Sequence, residues 1–294
     1  MNKILLIGST GQVGQELLKT LKPLGELVTL TRQQLDLTKY DEITEAITSI
    51  EPDTIVNAAA YTAVDKAQSD SEIAMAINKD APQAIAQAAS KIGANLVHIS
   101  TDYVFDGKNH TPYQEDDATN PLGVYGRSKL LGEQEVIKNC DRYIILRTAW
   151  VYGARGHGNF VKTMLRLGAD REELKVVADQ IGSPTCSDDI AEAIANLLKN
   201  NVASGIYHFS CSGVASWYDF AVAIFEEAER LGFPLKIKKV FPITTAQFPT
   251  PTDRPSYSVL SKGKYIETLS IYPPHWRDSL RKMLAELKPL RGNL

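Results

Sequence analysis

The stretch that decides the fold is residues 3–14, Lys-Ile-Leu-Leu-Ile-Gly-Ser-Thr-Gly-Gln-Val-Gly. Residues 4–7 form a short, continuous apolar run that ends at Gly8, which is typical of a parallel strand buried on both faces. After the glycines, apolar residues recur at helical spacing until Pro23 and Gly25 end the helix. The stretch therefore predicts a strand, a glycine-rich turn and a helix.

The same alternation runs through the first half of the chain. We predict further strands at 27–30, 54–58, 95–100 and 143–148, with helices at 81–89 and 128–137. Alternating strands and helices form right-handed βαβ units whose strands lie parallel in one sheet. The predicted fold is α/β, a doubly wound parallel sheet of the Rossmann-like kind.

The second half keeps this alternation but loosens it. We predict short strands at 174–177 and 205–209 and helices at 188–198, 217–230 and 277–287. The proline-rich segment 234–255 is expected to be irregular, because proline cannot donate a backbone hydrogen bond. We predict a dinucleotide-binding domain at 1–150. Residues 151–294 are then mainly a smaller α/β substrate lobe, with some segments returning to the first domain.

Composition excludes several classes of protein. The 294 residues carry a net charge of −3, which removes the electrostatic case for a nucleic-acid binder. No apolar run approaches the ~20 residues of a membrane span, and the N-terminus does not resemble a signal peptide. The 3 cysteines lack CxxC spacing and predict reduced thiols in a cytoplasmic protein. No histidine pair has zinc-site spacing, so we predict no metal in the catalytic site.

The turn after the first strand has the spacing of a cofactor cradle. Glycines let the backbone approach a pyrophosphate, and the helix N-terminus points N–H groups at the phosphates. The spacing is GxxGxxG rather than GxGxxG, and no Lys-Ser/Thr pair of a Walker loop follows. The predicted cofactor contacts in this turn are Gly8, Gly11, Gln12, Val13 and Gly14.

The next two strand ends should meet the rest of the cofactor. Arg32 follows the second strand, where a basic residue would accept the 2′-phosphate, so it favours NADPH over NADH; a solvated arginine is the alternative. Asp36 and Leu37 could flank the adenine. Small residues end the third strand and would let the cofactor lie against backbone; the predicted contacts there are Ala59, Ala60, Tyr61 and Thr62.

Tyr125 and Lys129 have Tyr-x3-Lys spacing at the start of a predicted helix, which puts both side chains on one face. A nearby ammonium lowers the pKa of a phenol and makes it a usable acid or base. Thr101 ends the fourth strand, at the edge where open α/β sheets bind ligands. We predict these three as catalytic, and Tyr125 and Lys129 also as contacts of the cofactor. His98, inside the same strand, is interpreted as a core residue.

These motifs, in this order, resemble the extended short-chain dehydrogenase/reductase superfamily, whose members mostly act on nucleotide sugars. Longer strings resemble one family within it, the dTDP-4-dehydrorhamnose reductases, and the resemblance covers nearly the whole chain. The strings are residues 57–66 (NAAAYTAVDK), 100–107 (STDYVFDG), 147–153 (RTAWVYG), 179–185 (DQIGSPT) and the pair Arg254-Pro255.

The resemblance implies reduction of the C4 keto group of dTDP-4-dehydro-β-L-rhamnose by NADPH or NADH, the last step toward dTDP-rhamnose for polysaccharides. It implies that Tyr125 protonates the C4 oxygen, that Lys129 lowers the Tyr125 pKa and holds the nicotinamide ribose, and that Thr101 orients the carbonyl. It further implies substrate contacts, which are Asp102, Trp150, Asn159 and Arg254.

Several alternatives stay open. Sugar 4,6-dehydratases need Thr-Asp-Glu where this chain has Thr101-Asp102-Tyr103, which argues against them. A reductase of another 4-keto-6-deoxy sugar, or a non-catalytic NADP-binding regulatory subunit, would share much of the pattern. Some members of the family are homodimers bridged by a metal. For a Mg²⁺ ion at such an interface, the candidate ligands are Glu16, Asp188 and Glu286, with plain surface carboxylates as the other interpretation.

Overall fold

A computed structural model of the chain describes residues 2–156 and 158–291. Residues 157 and 292–294, which belong to the predicted substrate lobe, lie outside the described residues.

A six-stranded sheet in the order β10-β5-β4-β3-β1-β2 forms the centre of the molecule, and all of its strand pairs are parallel. Its strands are β1 (Lys3–Ile7), β2 (Glu26–Leu30), β3 (Thr54–Asn57), β4 (Asn95–Thr101), β5 (Tyr143–Thr148) and β10 (Gly205–His208). The predicted doubly wound parallel sheet is confirmed.

Helices cover both faces of this sheet. The helices are α1 (Gln12–Leu21), α2 (Tyr40–Ile50), α3 (Ser71–Met75), α4 (Ala81–Ile92), α5 (Val124–Asn139), α6 (Phe160–Asp170), α7 (Ser187–Lys199), α8 (Trp217–Arg230), α9 (Gly263–Leu269) and α10 (Trp276–Arg291). One face packs on α2, α4 and α5, and the other on α1, α7 and α9. A π-helical turn, Ala76–Asp80, joins α3 to α4.

β1 shows why the opening apolar run forms a central strand. Its side chains alternate between the two faces, so Leu5 and Ile7 enter the core under α2 and α4, while Ile4 and Leu6 enter the core under α1 and α7. All four are at most 2% exposed. A strand that is covered on both faces, here by helices, buries consecutive apolar residues in this way.

The C-terminal half builds a second core. Three two-stranded sheets lie there, made of β6 (Val151–Tyr152), β7 (Glu173–Val177), β8 (Ile181–Gly182), β9 (Thr185–Cys186), β11 (Ala215–Ser216) and β12 (Lys239–Ile243). Side chains of α6, α8 and α10 fill the core beside them. β10 and α7 belong instead to the central sheet and its helical layer. The boundary at residue 150 stays a prediction.

The expectation that 234–255 is irregular was wrong in part. Residues 239–243 form β12, in which Pro242 is the register partner of Val176 in β7. A strand with a single neighbour tolerates proline because its other edge needs no backbone donor. No helix was predicted where the structure has α2, α3, α6 and α9.

The loops that follow β1, β3, β4 and β5 gather at the carboxyl edge of the sheet, where parallel α/β folds bind ligands. In the part of the chain that the structure describes, no helix has the length and apolar character to span a membrane.

Candidate active site

The glycines of the turn after β1 pack its backbone closely against neighbouring backbone at the start of α1 and leave room beside Gly11. Gly8 has φ +88°, and a Cβ there would lie 2.7 Å from the backbone nitrogen of Ala59. A Cβ on Gly14 would collide with the carbonyl oxygen of Gly8, whereas one on Gly11 would meet only that oxygen, at 3.5 Å. Gly11 is the N-cap of α1 and supplies no side-chain cap. The space and the helix N-terminus fit a dinucleotide pyrophosphate.

Gln12 and Val13 open α1 beside this cradle. Beyond β2, Arg32 is exposed and free to meet an added phosphate. Asp36 accepts hydrogen bonds from the backbone and hydroxyl of Thr38, at 3.0 and 2.9 Å, which lower the pKa of its carboxyl. Leu37 packs against the core under α2.

The end of β3 is fixed by two buried asparagines. Asn57 Oδ1 accepts from the backbone of Ala59 at 3.2 Å, and Asn78 Oδ1 accepts from that of Tyr61 at 2.8 Å. Ala60 is half-buried and Thr62 is exposed. The backbone from Ala59 to Thr62 is therefore held beside the glycine turn, with small side chains on the approach that the cofactor needs.

Thr101 and Tyr125 meet at the carboxyl edge. The phenol of Tyr125 lies close enough to Thr101 for the two side chains to interact, and the Thr101 hydroxyl donates to Asp102 Oδ1 at 3.0 Å. Burial raises the pKa of Tyr125 to about 12, with the Asp102 charge adding to it and the Thr101 hydrogen bond opposing it. The prediction that Lys129 lowers the pKa of Tyr125 was therefore wrong for this structure, because burial raises that pKa and the phenol keeps its proton at neutral pH.

Lys129 lies one turn along α5 and is 2% exposed. Its Nζ donates to the carbonyl oxygen of Ile99 at 2.7 Å and lies 3.4 Å from His98 Nε2. Burial lowers the pKa of Lys129 to about 8, opposed by the charge of Glu133. His98 is buried, as interpreted from the sequence, but its contact with Lys129 was missed. The signal was a histidine placed close before the strand end that carries Thr101.

Asp102 is 1% exposed, directly beside Thr101. Burial raises the pKa of its carboxyl to about 6, and hydrogen bonds from Ser258 and Thr101 oppose that rise. The next residue, Tyr103, packs its ring edge-on against Tyr125 with centroids 5.5 Å apart, and burial raises the pKa of its phenol. This position therefore offers no carboxylate base.

Trp150 follows β5 with the left-handed backbone angle φ +48°. Its indole stacks on Trp217, with centroids 3.5 Å apart and planes 1° from parallel, and covers Gly182, where any Cβ would strike the ring. Gln180 accepts from Trp217 Nε1 at 3.1 Å. Neither Trp217 nor Gln180 was expected at the site, although Gln180 lies in the string 179–185; Trp217 is distant in the chain from Trp150 and lies in no such string.

Two of the predicted substrate-contact residues, Asn159 and Arg254, are bonded to other side chains of the protein. Asn159 caps α6 through the Lys162 backbone and donates to Gln12 Oε1 at 2.7 Å. Arg254 is half-buried, and its Nη2 lies 2.8 Å from Asp65 Oδ2. The structure thus brings Thr101, Asp102, Tyr125 and Lys129 into one cluster. It places Asn159 and Arg254 in contacts that link separate loops, and their roles toward a ligand stay predictions.

The structure does not support the Mg²⁺ site. Glu16 is ion-paired with Lys19, and its other oxygen lies 3.5 Å from Arg155 Nε. Glu286 lies 3.2 Å from Arg155 Nη2. Lys19 and Arg155 thus pair with two of the three carboxylates that a metal would need, Glu16 and Glu286, while Asp188 lies beside Glu16. Within residues 2–156 and 158–291, no cluster of His, Cys, Asp and Glu fits a metal ion.

Comparisons with known proteins agree over nearly the entire chain. The family model of the RmlD substrate binding domain matches residues 1–288. A dTDP-4-dehydrorhamnose reductase from Escherichia coli K12 is 45% identical over 292 residues, with 97% of both chains covered. Two crystal structures of dTDP-4-dehydrorhamnose reductases have TM-scores of 0.91. The one from Clostridium acetobutylicum is 40% identical and covers 97% of this chain and 99% of its own.

The second, from Bacillus anthracis, is in complex with NADP; it is 37% identical and covers 97% of this chain and 100% of its own. The chain therefore belongs to the dTDP-4-dehydrorhamnose reductase family.

Proposed function

We propose that this protein reduces the C4 keto group of dTDP-4-dehydro-β-L-rhamnose with NADPH and releases dTDP-β-L-rhamnose. The observation that carries the proposal is the cluster of Thr101, Tyr125 and Lys129 beside the glycine cradle, in a chain of this family. When bound, the dihydronicotinamide supplies the hydride that reduces the keto carbon.

The side chains of the cluster would then handle the oxygen of the keto group. Tyr125, whose raised pKa keeps it protonated, donates its proton to that oxygen as negative charge develops there. Thr101 would give up its bond to Asp102 or to Tyr125 to hold the carbonyl in line. Lys129, buried on the same helix face, supplies a cation close to the site and a contact for the cofactor ribose.

Trp150, stacked on Trp217, would form one wall of the sugar pocket. Arg254 would contact the nucleotide diphosphate after leaving Asp65, and the exposed Arg32 would favour NADPH over NADH. Tyr103 supports reduction over dehydration, since a dehydratase needs a carboxylate base at that place.

The test is NADPH oxidation with dTDP-4-dehydro-6-deoxy-D-glucose, with and without the 3,5-epimerase that makes the rhamnose precursor. Oxidation only with the epimerase present is the expected result. Oxidation without it would assign the protein to another 6-deoxysugar. Cofactor binding with no oxidation in either reaction would contradict the enzymatic proposal and favour the regulatory subunit.

The proposed partners are the nucleotide sugar and a second copy of the chain, since the family includes homodimers. Light scattering in the presence and absence of EDTA tests whether the chain forms a homodimer. A monomer under both conditions would contradict the homodimer. The proposed location is the cytoplasm, which the three free cysteines support.

A further inference from the structure

His98, a residue of β4, contacts both Asn57 of the neighbouring strand β3 and the buried Lys129 of α5. It is 1% exposed, and it is the register partner of Asn57 across β3 and β4. Its Nδ1 lies 3.2 Å from Asn57 Nδ2, and its Nε2 lies 3.4 Å from Lys129 Nζ. Both ring nitrogens of this buried side chain therefore have a polar neighbour.

Asn57 determines which ring nitrogen carries the proton. Its Oδ1 accepts from the backbone N–H of Ala59 at 3.2 Å, so its NH₂ group is the one that faces His98. An amide NH₂ only donates, and Nδ1 must then accept. Burial and the Lys129 charge hold the pKa of His98 well below its usual value, so the ring is neutral. Its single proton therefore lies on Nε2.

The Nε2–H group faces the nitrogen of Lys129. A neutral amine can accept a hydrogen bond from it, whereas an ammonium group has no lone pair to do so. The Ile99 carbonyl accepts one N–H of Lys129 in either state. On the helix of Lys129 itself, Tyr125 precedes it and Glu133 follows it by one turn.

Glu133 favours the ammonium, but its carboxylate is already held by Arg147 of β5, with Nε to Oε1 at 3.0 Å and Nη2 to Oε2 at 2.7 Å. From β4, the group that faces Lys129 is His98. The Glu133 carboxylate, whose charge would keep Lys129 protonated, is thus mainly paired with Arg147. The Nε2–H donor of His98 favours the neutral amine of Lys129.

We propose that His98 is a positioning residue which, fixed by Asn57 as an Nε2–H donor, stabilises the neutral amine of Lys129. The lone pair of the amine accepts the His98 hydrogen bond, and this bond is lost when a proton from solvent restores the ammonium. A part for Lys129 in the reaction rests on the proposed function, whereas the effect of His98 on Lys129 does not.

A matched pair of variants separates the donor from the packing. In His98→Gln, Nε2 of the amide reaches the place of the ring Nε2 and can still donate to Lys129. In His98→Asn, the shorter side chain keeps a polar atom near Asn57 and loses the donor. Lys129 is titrated by ¹³C NMR in protein labelled at lysine Cε, without cofactor or substrate, and its signal is assigned by its loss in Lys129→Arg.

We expect Lys129 to titrate near the pKa of about 8 in the wild type and in His98→Gln. In His98→Asn we expect a pKa higher by about one unit or more, because the opposing donor is gone. An unchanged Lys129 titration in His98→Asn would overturn the proposal. Since the readout needs no turnover, an inactive enzyme with the expected shift would refute the proposed function and leave this inference standing.

Nitrogen-15 shifts of the His98 ring in the wild type give a second readout, which does not depend on a variant that folds. We expect Nε2 to be protonated and Nδ1 unprotonated from acidic to mildly alkaline pH. A proton on Nδ1 would overturn the proposal, whatever the variants show. In turnover, the alkaline limb of the kcat profile should move with the Lys129 pKa in His98→Asn and stay in place in His98→Gln.

Discussion

Asn159 at the start of α6 donates a hydrogen bond of 2.7 Å from Nδ2 to Oε1 of Gln12, the first residue of α1. The same nitrogen donates to the carbonyl of Gly153 at 2.8 Å, and Oδ1 accepts from the Lys162 backbone at 3.0 Å. One side chain thus caps a helix of the C-terminal half and holds the first residue after the cofactor cradle.

Two substitutions should separate these two tasks of Asn159. Asn159→Ala removes both and should lower the free energy of unfolding by about 1 kcal/mol, the usual worth of an N-cap. Asn159→Ser retains a capping oxygen and loses the bond to Gln12. We expect Asn159→Ser to unfold like the wild type in urea yet to bind NADPH more weakly by calorimetry. Wild-type affinity in both variants would show that the link to Gln12 does not support the cradle.

Tyr125→Phe should cut the rate of reduction by ~10²–10⁴-fold, the usual cost of losing a general acid. Burial raises the pKa of the phenol to about 12, which keeps it protonated across the working range. NADPH binding should persist, because the cradle lies on other elements. The measurement is single-turnover NADPH oxidation with saturating substrate.

Tyr103→Phe is the matched control. It removes the same hydroxyl group from a neighbouring tyrosine, whose ring packs edge-on against Tyr125. We expect Tyr103→Phe to keep a rate within a few-fold of the wild type. Near-normal turnover in Tyr125→Phe, or an equal loss in both variants, would remove Tyr125 as the proton donor.

The parts of the fold that could be predicted from the sequence are those in which a residue constrains the backbone of its neighbours in the chain. The run Ile4–Ile7 and the glycine turn constrain the backbone locally, and parallel strands end at one edge of a sheet, so Thr101 and Tyr125 could be placed together. Pro242 misled the prediction because its effect depends on whether β12 lies at an edge, which is a property of the whole sheet.

The parts that could not be predicted depend on contacts across the chain. The stacking of Trp150 on Trp217 and the ion pair of Arg254 with Asp65 join segments that no local pattern relates. Lys129 was expected to lower the pKa of Tyr125, which burial instead raises. Its burial against Ile99 and His98, and the low pKa that follows, come from the packing of α5 on β4.

Arg32→Ala should weaken NADPH binding by about tenfold or more and leave NADH binding nearly unchanged. A hydrogen bond to a charged phosphate is worth about 1.5–3 kcal/mol, and only NADPH carries the 2′-phosphate. Arg32 is exposed after β2, where the Gln34 side chain accepts from the Thr31 backbone at 3.0 Å and fixes the turn. Calorimetric titration with each cofactor gives the two affinities.

Arg171→Ala removes an exposed arginine at the end of α6 and serves as the charge-matched control. It should leave both affinities unchanged. Equal losses for NADPH and NADH in Arg32→Ala would show that Arg32 does not read the 2′-phosphate.

Asp102→Asn should stabilise the protein at pH 8, and the gain should disappear toward pH 4. Burial raises the pKa of Asp102 from 3.8 to about 6, so the folded protein binds a proton there more tightly than the unfolded chain does. Such a group contributes its stability below the unfolded pKa and loses it as pH rises through the folded pKa. The charged carboxylate therefore costs up to about 3 kcal/mol at pH 8, which the neutral amide avoids.

Asp106→Asn supplies a control of opposite sign. Hydrogen bonds led by the Lys108 backbone lower the pKa of Asp106, so its carboxylate stabilises the fold above the unfolded pKa and that contribution is lost as pH falls. Urea unfolding of the wild type and both variants from about pH 4 to about pH 8 measures the differences. Asp102→Asn should gain stability with rising pH relative to the wild type, and Asp106→Asn should lose it. A gain from Asp102→Asn that is equal at both ends of the range would mean that its carboxyl titrates normally in the folded protein.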